Sequence, residues 1–214
     1  MRDDSLAKKV YLEVRKKILS SQLSGGARLV ESAWAERLDV SRVAVREAFM
    51  RLAGESLVEV GEKGGCFVKK ITIEDVHAIR ELREILEIGA LKVLFVKRNA
   101  DLIEDLESIC NDFSNMVNRG YYGGACEADV RFHERLIHGT NNARLINIYE
   151  SSNIPLFHMK IGAILGQMED YMETDTEHRL IVQALKTDNW DLAYSTLVKH
   201  LERGEQESLE LVED

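Results

Sequence analysis

The 214-residue sequence predicts a mainly α-helical chain in two parts. Residues 1–71 read as a small head of three helices and a β-hairpin, and residues 72–214 as an antiparallel bundle of about six helices. Three observations carry this reading. Residues 32–52, SAWAERLDVSRVAVREAFMRL, form two helical stripes broken by a tight turn, and two short strand-like runs follow them. From Thr72 onward, apolar residues recur at helical spacing in segment after segment, and the whole chain holds one proline. The charge divides at the same place: 14 Lys and Arg against 10 Asp and Glu leave the head at +4, while 14 against 27 leave the body at −13.

The head begins with an amphipathic helix from Leu6 to Leu19, with Val10, Val14 and Ile18 on one stripe and Lys8, Lys9, Arg15, Lys16 and Lys17 elsewhere. Ser24-Gly25-Gly26 breaks it, and Arg28-Leu29-Val30 leads into a helix carrying Trp34, Ala35 and Leu38. Asp39-Val40 interrupts that helix. Ser41 then offers an N-cap hydroxyl to the next one, which buries Val45, Ala48, Phe49 and Leu52. Its opposite face carries Arg42, Arg46 and Arg51, the first two near the end from which a recognition helix meets base edges. A basic solvated face on an ordinary helix would show the same pattern, so the following residues matter. Leu57 to Val60 reads as a strand, Gly61 to Gly65 as a turn and Cys66 to Val68 as the returning strand. A hairpin directly after a helix-turn-helix makes it a winged one, and Gly64-Gly65 lets backbone approach a phosphate or groove unobstructed.

These residues resemble the GntR family of bacterial transcription regulators. The resemblance rests on Arg28-Leu29 with Glu31, Ala35, Val40-Ser41-Arg42, Val45-Arg46-Glu47-Ala48, Leu52 and the Gly65-x-Phe67-Val68 wing. The chain departs from the family pattern at Val43-Ala44, where Thr-Pro is usual, at Ser56, where glycine is usual, and at Glu62-Lys63, where arginine is common. The resemblance implies double-stranded operator DNA as a partner. Arg42 and Arg46 would then read base edges, with Arg28, Ser41, Lys63 and the Gly64-Gly65 backbone on phosphates or in the minor groove. One helix-turn-helix supplies few base contacts, so a homodimer on two half-sites is expected. The basic head and acidic body fit that arrangement, because the charge attracts DNA to one part of the chain only.

The body opens with Thr72 as an N-cap and Glu74 and Asp75 in the first turn of a helix from Val76 to Val96. A second runs from Leu102 to Val117, on a stripe of Leu102, Leu106, Ile109, Phe113 and Met116. Gly120 to Gly124 separates it from a third, from Ala125 to Ile137, and Gly139 to Asn142 is a loop. The pattern then predicts a fourth helix from Arg144 towards Met172, kinked at Pro155, a fifth from Thr176 to Leu185 and a sixth from Trp190 to Leu211.

Within these helices Asp129 and His133 stand i, i+4, on one face of the third. His178 falls in the first turns of the fifth and His200 near the middle of the sixth. Phe132, Leu136, Leu180, Ile181, Leu197 and Leu201 surround them in sequence, which turns all four inward. Three imidazoles and a carboxylate facing one cavity suit a divalent metal ion such as Zn²⁺, Ni²⁺ or Mn²⁺. The spacing alone equally describes four ordinary core or surface residues. Arg83 sits at the edge of the stripe of Ile79, Leu82 and Leu86. Its fork suits a bidentate carboxylate contact, and a salt bridge to Glu87 at i+4 accounts for it as well.

Asp129-x-x-Phe132-His133-x-x-Leu136, Glu177-His178-Arg179-x-Ile181-x-x-Ala184-Leu185, His200-Leu201 and Leu82-Arg83-x-x-Leu86-Glu87 resemble the FCD effector domain of the FadR-like branch, in its six-helix variety. This resemblance implies a metal held by Asp129, His133, His178 and His200, with zinc first among the candidates. It further implies a small carboxylate effector reaching the metal beside Arg83, dimerisation, and repression relieved by that effector. A metal sensor, in which the ion is itself the signal, stays open. A metalloenzyme finds little support, because no base or nucleophile accompanies the cluster and Glu177 points away from its neighbour His178. His77, His138 and His158 read as surface or packing residues, Cys66, Cys110 and Cys126 as small fillers without metal-pair spacing, and Trp190 as packing. No apolar run reaches the length of a membrane span and the N-terminus has no apolar signal core, so a bacterial cytoplasmic setting is expected.

Overall fold

Val10, Val14 and Ile18 stand one helical turn apart, and they are buried where α1 (Arg2–Leu19) packs against α3 (Arg42–Gly54). The computed structural model describes residues 2–20, 22–61, 64–152, 154 and 168–213. It divides the chain into two units, 1–71 and 72–214. Among the described residues there are nine helices and one three-stranded sheet.

In the first unit α2 (Glu31–Leu38) ends on Asp39, whose left-handed backbone, φ 53, returns N–H bonds to the carbonyls of Ala35 and Glu36. Ser41 caps α3 by accepting from the Ala44 N–H at 3.1 Å. Val45, Ala48, Phe49 and Leu52 are buried, as their spacing predicts. After Ser56, also left-handed at φ 54, the chain enters β2 (Val58–Val60) and returns as β3 (Cys66–Val68). Gly64 and Gly65 take φ 79 and 94, a conformation that costs a residue with a Cβ more than it costs glycine. One element was not foreseen. Arg28–Leu29 is a strand, β1, paired antiparallel with β3 so that Arg28 faces Phe67 and Leu29 faces Cys66. The sheet order is β1-β3-β2. Two residues are too few to show the alternation by which a strand is read from sequence.

In the second unit Thr72 and Asp75 form a reciprocal capping box at the start of α4 (Ile73–Lys97). It is followed by α5 (Ala100–Asn118), α6 (Tyr122–Gly139), α7 (Ala143–Ser151), α8 (Met168–Lys186) and α9 (Trp190–Glu213). Five of these close a ring: α4 packs on α6, α6 on α5, α5 on α8, α8 on α9, and α9 back on α4. Leu91, Leu106, Phe132, Leu136, Ile181 and Leu197 fill its centre. Arg179 fastens α8 to α5, donating from Nη2 to Ser114 Oγ at 2.7 Å, Asn111 Oδ1 at 3.2 Å and the Cys110 carbonyl at 3.3 Å.

Three boundaries differ from the sequence reading. The helix from Arg144 does not continue to Met172, since α7 closes at Ser151 and residues 168–175 already belong to α8. Thr176, taken as the start of a new helix, instead donates its hydroxyl to the Met172 carbonyl one turn back, a bond made in a helix interior. His178 therefore sits mid-helix. The third helix begins at Tyr122, so that Gly123-Gly124 lies inside its first turn. The kink expected at Pro155 lies outside the described residues.

Leu106 is fully buried at the ring's centre. Leu106→Ala is expected to cost about 2–5 kcal/mol of unfolding free energy, measured as a lowered urea midpoint with an unchanged slope.

Candidate functional site

The ring sets one face of each contributing helix around a common interior point. Asp129 and His133 come from α6, one turn apart; His178 comes from α8 and His200 from α9. All four are buried, His133 completely. One donor atom from each can be chosen so that the four lie within 4.8 Å of one another. His133 Nε2 is 3.1 Å from His200 Nε2, and Asp129 Oδ1 is 3.1 Å from His178 Nε2 and 3.6 Å from His133 Nε2. Phe132 stacks on the His178 ring at 3.9 Å and 8°, which fixes that imidazole's plane.

Two further carboxylates decide how the imidazoles face. Glu87 Oε2 lies 2.7 Å from His133 Nδ1, and Glu177 Oε2 lies 2.9 Å from His200 Nδ1. A carboxylate only accepts, so each Nδ1 carries its hydrogen and each Nε2 is left to turn a lone pair inward. Two lone pairs 3.1 Å apart repel one another unless a cation or a proton lies between them. Three imidazole nitrogens and a carboxylate oxygen are a donor set that suits a first-row divalent ion, with the outer nitrogens of His133 and His200 held by carboxylates as is usual behind metal-bound histidines. The residues present fit the group.

The electrostatics are those of buried charges in close partnership. Burial opposes ionisation of Glu87, yet Arg83 and His133 hold its carboxyl well below the usual carboxylate range. Burial likewise opposes charge on His133, but Glu87 lifts it above the ordinary imidazole value. His178 is lowered by burial, and His200 is lowered further, by burial and by the neighbouring imidazoles. Burial pushes the thiols of Cys110 and Cys126 up to about 12, which suits fillers rather than thiolate ligands.

Arg83, on α4, is buried and donates from Nε to Glu87 Oε1 at 2.7 Å. The i+4 salt bridge is thus present, while Nη2 is buried without a hydrogen-bond partner. The roles of Glu87 and Glu177 towards His133 and His200 were missed from sequence. Glu177 does turn from its neighbour His178, and what it reaches is a histidine 23 residues later on another helix. His77 is exposed and His138 half-buried, pairing with Glu205 and Glu150, and His158 lies outside the described residues. Trp190 packs edge-on against Phe95.

In the first unit, Arg42 and Arg46 are exposed near the start of α3. Arg46 is clasped by Glu31, with Nε to Oε1 at 3.0 Å and Nη2 to Oε2 at 2.9 Å. Arg28, Arg46 and Gly65 line one cleft of about 390 Å³ together with Glu31, Val60 and Cys66. Ser41 spends its acceptor on the helix cap, and Gly64 sits at the hairpin tip. Lys63 lies outside the described residues.

Residues 6–68 match the bacterial regulatory proteins of the gntR family, and residues 78–203 match the FCD domain. The chain is a GntR-family regulator with an FCD domain. A gluconate operon transcriptional repressor of Bacillus licheniformis is 26% identical over 211 residues, 94% of this chain and 85% of the relative. An HTH-type regulator from an unstable DNA locus of Streptomyces ambofaciens is 28% identical, over 90% of this chain and 80% of its own. A GntR regulator of Rhodococcus sp. RHA1 superposes with a TM-score of 0.77 at 25% identity, covering 96% of this chain and 98% of the other. These relatives of the GntR regulator are transcription factors, not enzymes. Among its described residues no helix is long and apolar enough to cross a membrane.

Because the Glu87 carboxyl is held below its ordinary value of 4.5, its stabilising charge is complete above that pH and is lost as pH falls below it. Chemical denaturation across pH 3–6 should therefore show wild type weakening on acidification and Glu87→Gln depending less on pH. Arg83→Ala leaves that carboxylate without its guanidinium and should cost about 3–5 kcal/mol at neutral pH in the same assay.

Proposed function

We propose that this GntR regulator is a homodimeric transcriptional repressor whose grip on operator DNA is released by a small carboxylate bound at a metal centre. Asp129, His133, His178 and His200 would hold a divalent ion. Zn²⁺ is the first choice for a compact set of nitrogen and oxygen donors, with Ni²⁺ and Mn²⁺ as alternatives. When bound, the ion supplies Lewis acidity to which a carboxylate oxygen can attach. The observation that carries the reading is Arg83 Nη2, a buried guanidinium nitrogen without a hydrogen-bond partner, on a side chain within electrostatic reach of Asp129 and His200. Burying an unsatisfied cationic donor is expensive, and an anionic ligand relieves the cost. Arg83 orients the effector carboxylate, while Glu87 keeps Arg83 and His133 in place.

In the DNA-binding unit, Arg42 and Arg46 would read base edges, with Arg28, Ser41, Lys63, Gly64 and Gly65 holding backbone or minor groove. Effector binding would favour one disposition of the paired DNA-binding units over another, a shift in population without turnover. Because relatives are named for the gluconate operon, gluconate is the first effector to test. The expected setting is the cytoplasm.

On a mapped operator, Arg46→Ala is expected to lose about 1–3 kcal/mol of specific binding, with dimer mass unchanged by sedimentation. Undiminished binding would remove Arg46 from the reading surface. His133→Ala should take up no stoichiometric ion and should bind operator without responding to gluconate or other candidate acids. A retained response would end the metal-bridged account.

A further inference from the structure

We propose that Arg203 is a positioning residue for the ion cage: it holds Glu177, Glu177 holds His200, and ion affinity is thereby tied to the packing of α8 against α9. The inference rests on the metal reading above. Glu177 is 3% exposed, and its Oε2 accepts both from His200 Nδ1 at 2.9 Å and from Arg203 Nη2 at 2.7 Å. A carboxylate is stable in such a place only with a cation against it, so the guanidinium is what allows Glu177 to stand behind the imidazole. Arg203 is itself fixed on two sides. Its Nη2 also donates to Thr174 Oγ1 on α8 at 2.8 Å, and its Nη1 donates to Glu207 one turn later on α9.

The cage has two such arms, built alike. Arg83, Glu87 and His133 form one, and Arg203, Glu177 and His200 form the other. They differ at the carboxylate and at the arginine. Glu87 spends one oxygen on Arg83 and the other on His133, whereas Glu177 spends Oε2 on both partners. Arg83 keeps its terminal Nη2 buried and without a hydrogen-bond partner; Arg203 engages both terminal nitrogens with α8 and α9 and leaves Nε without one. The first arm has a terminal nitrogen left for a ligand; the second is a brace. The hydrogen bonds of Arg203 go to Thr174, Glu177 and Glu207, and of these Glu177 is the one that meets a cage imidazole, so its effect on the ion passes through Glu177.

The test uses full-length protein stripped of metal and then titrated with Zn²⁺ against a chromophoric chelator. Circular dichroism and melting of the metal-free forms check that each variant folds. Glu177→Gln should weaken Zn²⁺ about 10- to 100-fold, the range seen when partners behind metal-bound histidines are removed. Arg203→Ala should weaken it about tenfold, and the double variant should bind no more weakly than Glu177→Gln alone. Nitrogen-15 NMR of His200 should report hydrogen on Nδ1 in wild type and loss of that single tautomer in Arg203→Ala. Should Arg203→Ala fail to fold, Arg203→Met, which keeps an apolar stem of similar length and removes every donor and the charge, serves in both measurements. The proposal is overturned if Arg203→Ala lowers only the melting temperature and leaves Zn²⁺ affinity and the His200 tautomer as they were. It is overturned equally if the two substitutions act additively. Wild type that takes up none of Zn²⁺, Ni²⁺ or Mn²⁺ would bring down the metal reading itself, a result separable from the other two.

Discussion

The second unit depends on two hydrogen bonds between buried carboxylates and imidazoles, Glu87 to His133 and Glu177 to His200. Each leaves one ring nitrogen with its hydrogen spoken for and the other with a lone pair aimed inward. Without them, His133 and His200 could rotate or change tautomer, and the interior would be an assortment of polar groups in a helical core. With them, the donors share a direction. The ring of five helices serves this geometry, because α4, α6, α8 and α9 each bring a residue of the two arms or of the donor set to the same level.

Polarity of this kind is costly in a core, and the surrounding packing offsets it. Leu91, Leu136, Ile181 and Leu197 belong to the same apolar cluster as Phe132, whose ring lies flat on His178. The guanidiniums of Arg83 and Arg203 lie behind the two carboxylates, so that no acidic group in either arm stands alone. A core arranged in this way resists single substitutions poorly, because removing any one partner leaves another charge uncompensated.

The fold was legible where the physical signal is local. Helical stripes, the Asp39 break, the Ser41 cap and the Thr72 start all arise from residues within a turn or two of each other, and each is present. The four-donor cluster was legible for a mixed reason. Asp129 and His133 share a face by helical spacing, and apolar neighbours turn His178 and His200 inward as well, but that these four meet at one point was carried chiefly by the family resemblance. Glu87 and Glu177 escaped because their partners lie 46 and 23 residues away on other helices. Strand β1 escaped because two residues carry no periodicity, and the start of α8 because Thr176 satisfies its hydroxyl inside a helix as readily as at its end.

The clasp between Arg46 and Glu31 bears on how the first unit would meet a duplex. A cation and an anion 2.9 Å apart act at a distance as a dipole, whose field fades faster than that of a lone charge and is screened over about 10 Å in ordinary salt. The rate of encounter with a polyanion would then be set by the other basic side chains, and Arg46 would be felt only once a groove had closed around it. Arrival and residence would in this way be governed by different residues, with position 46 on the side of residence.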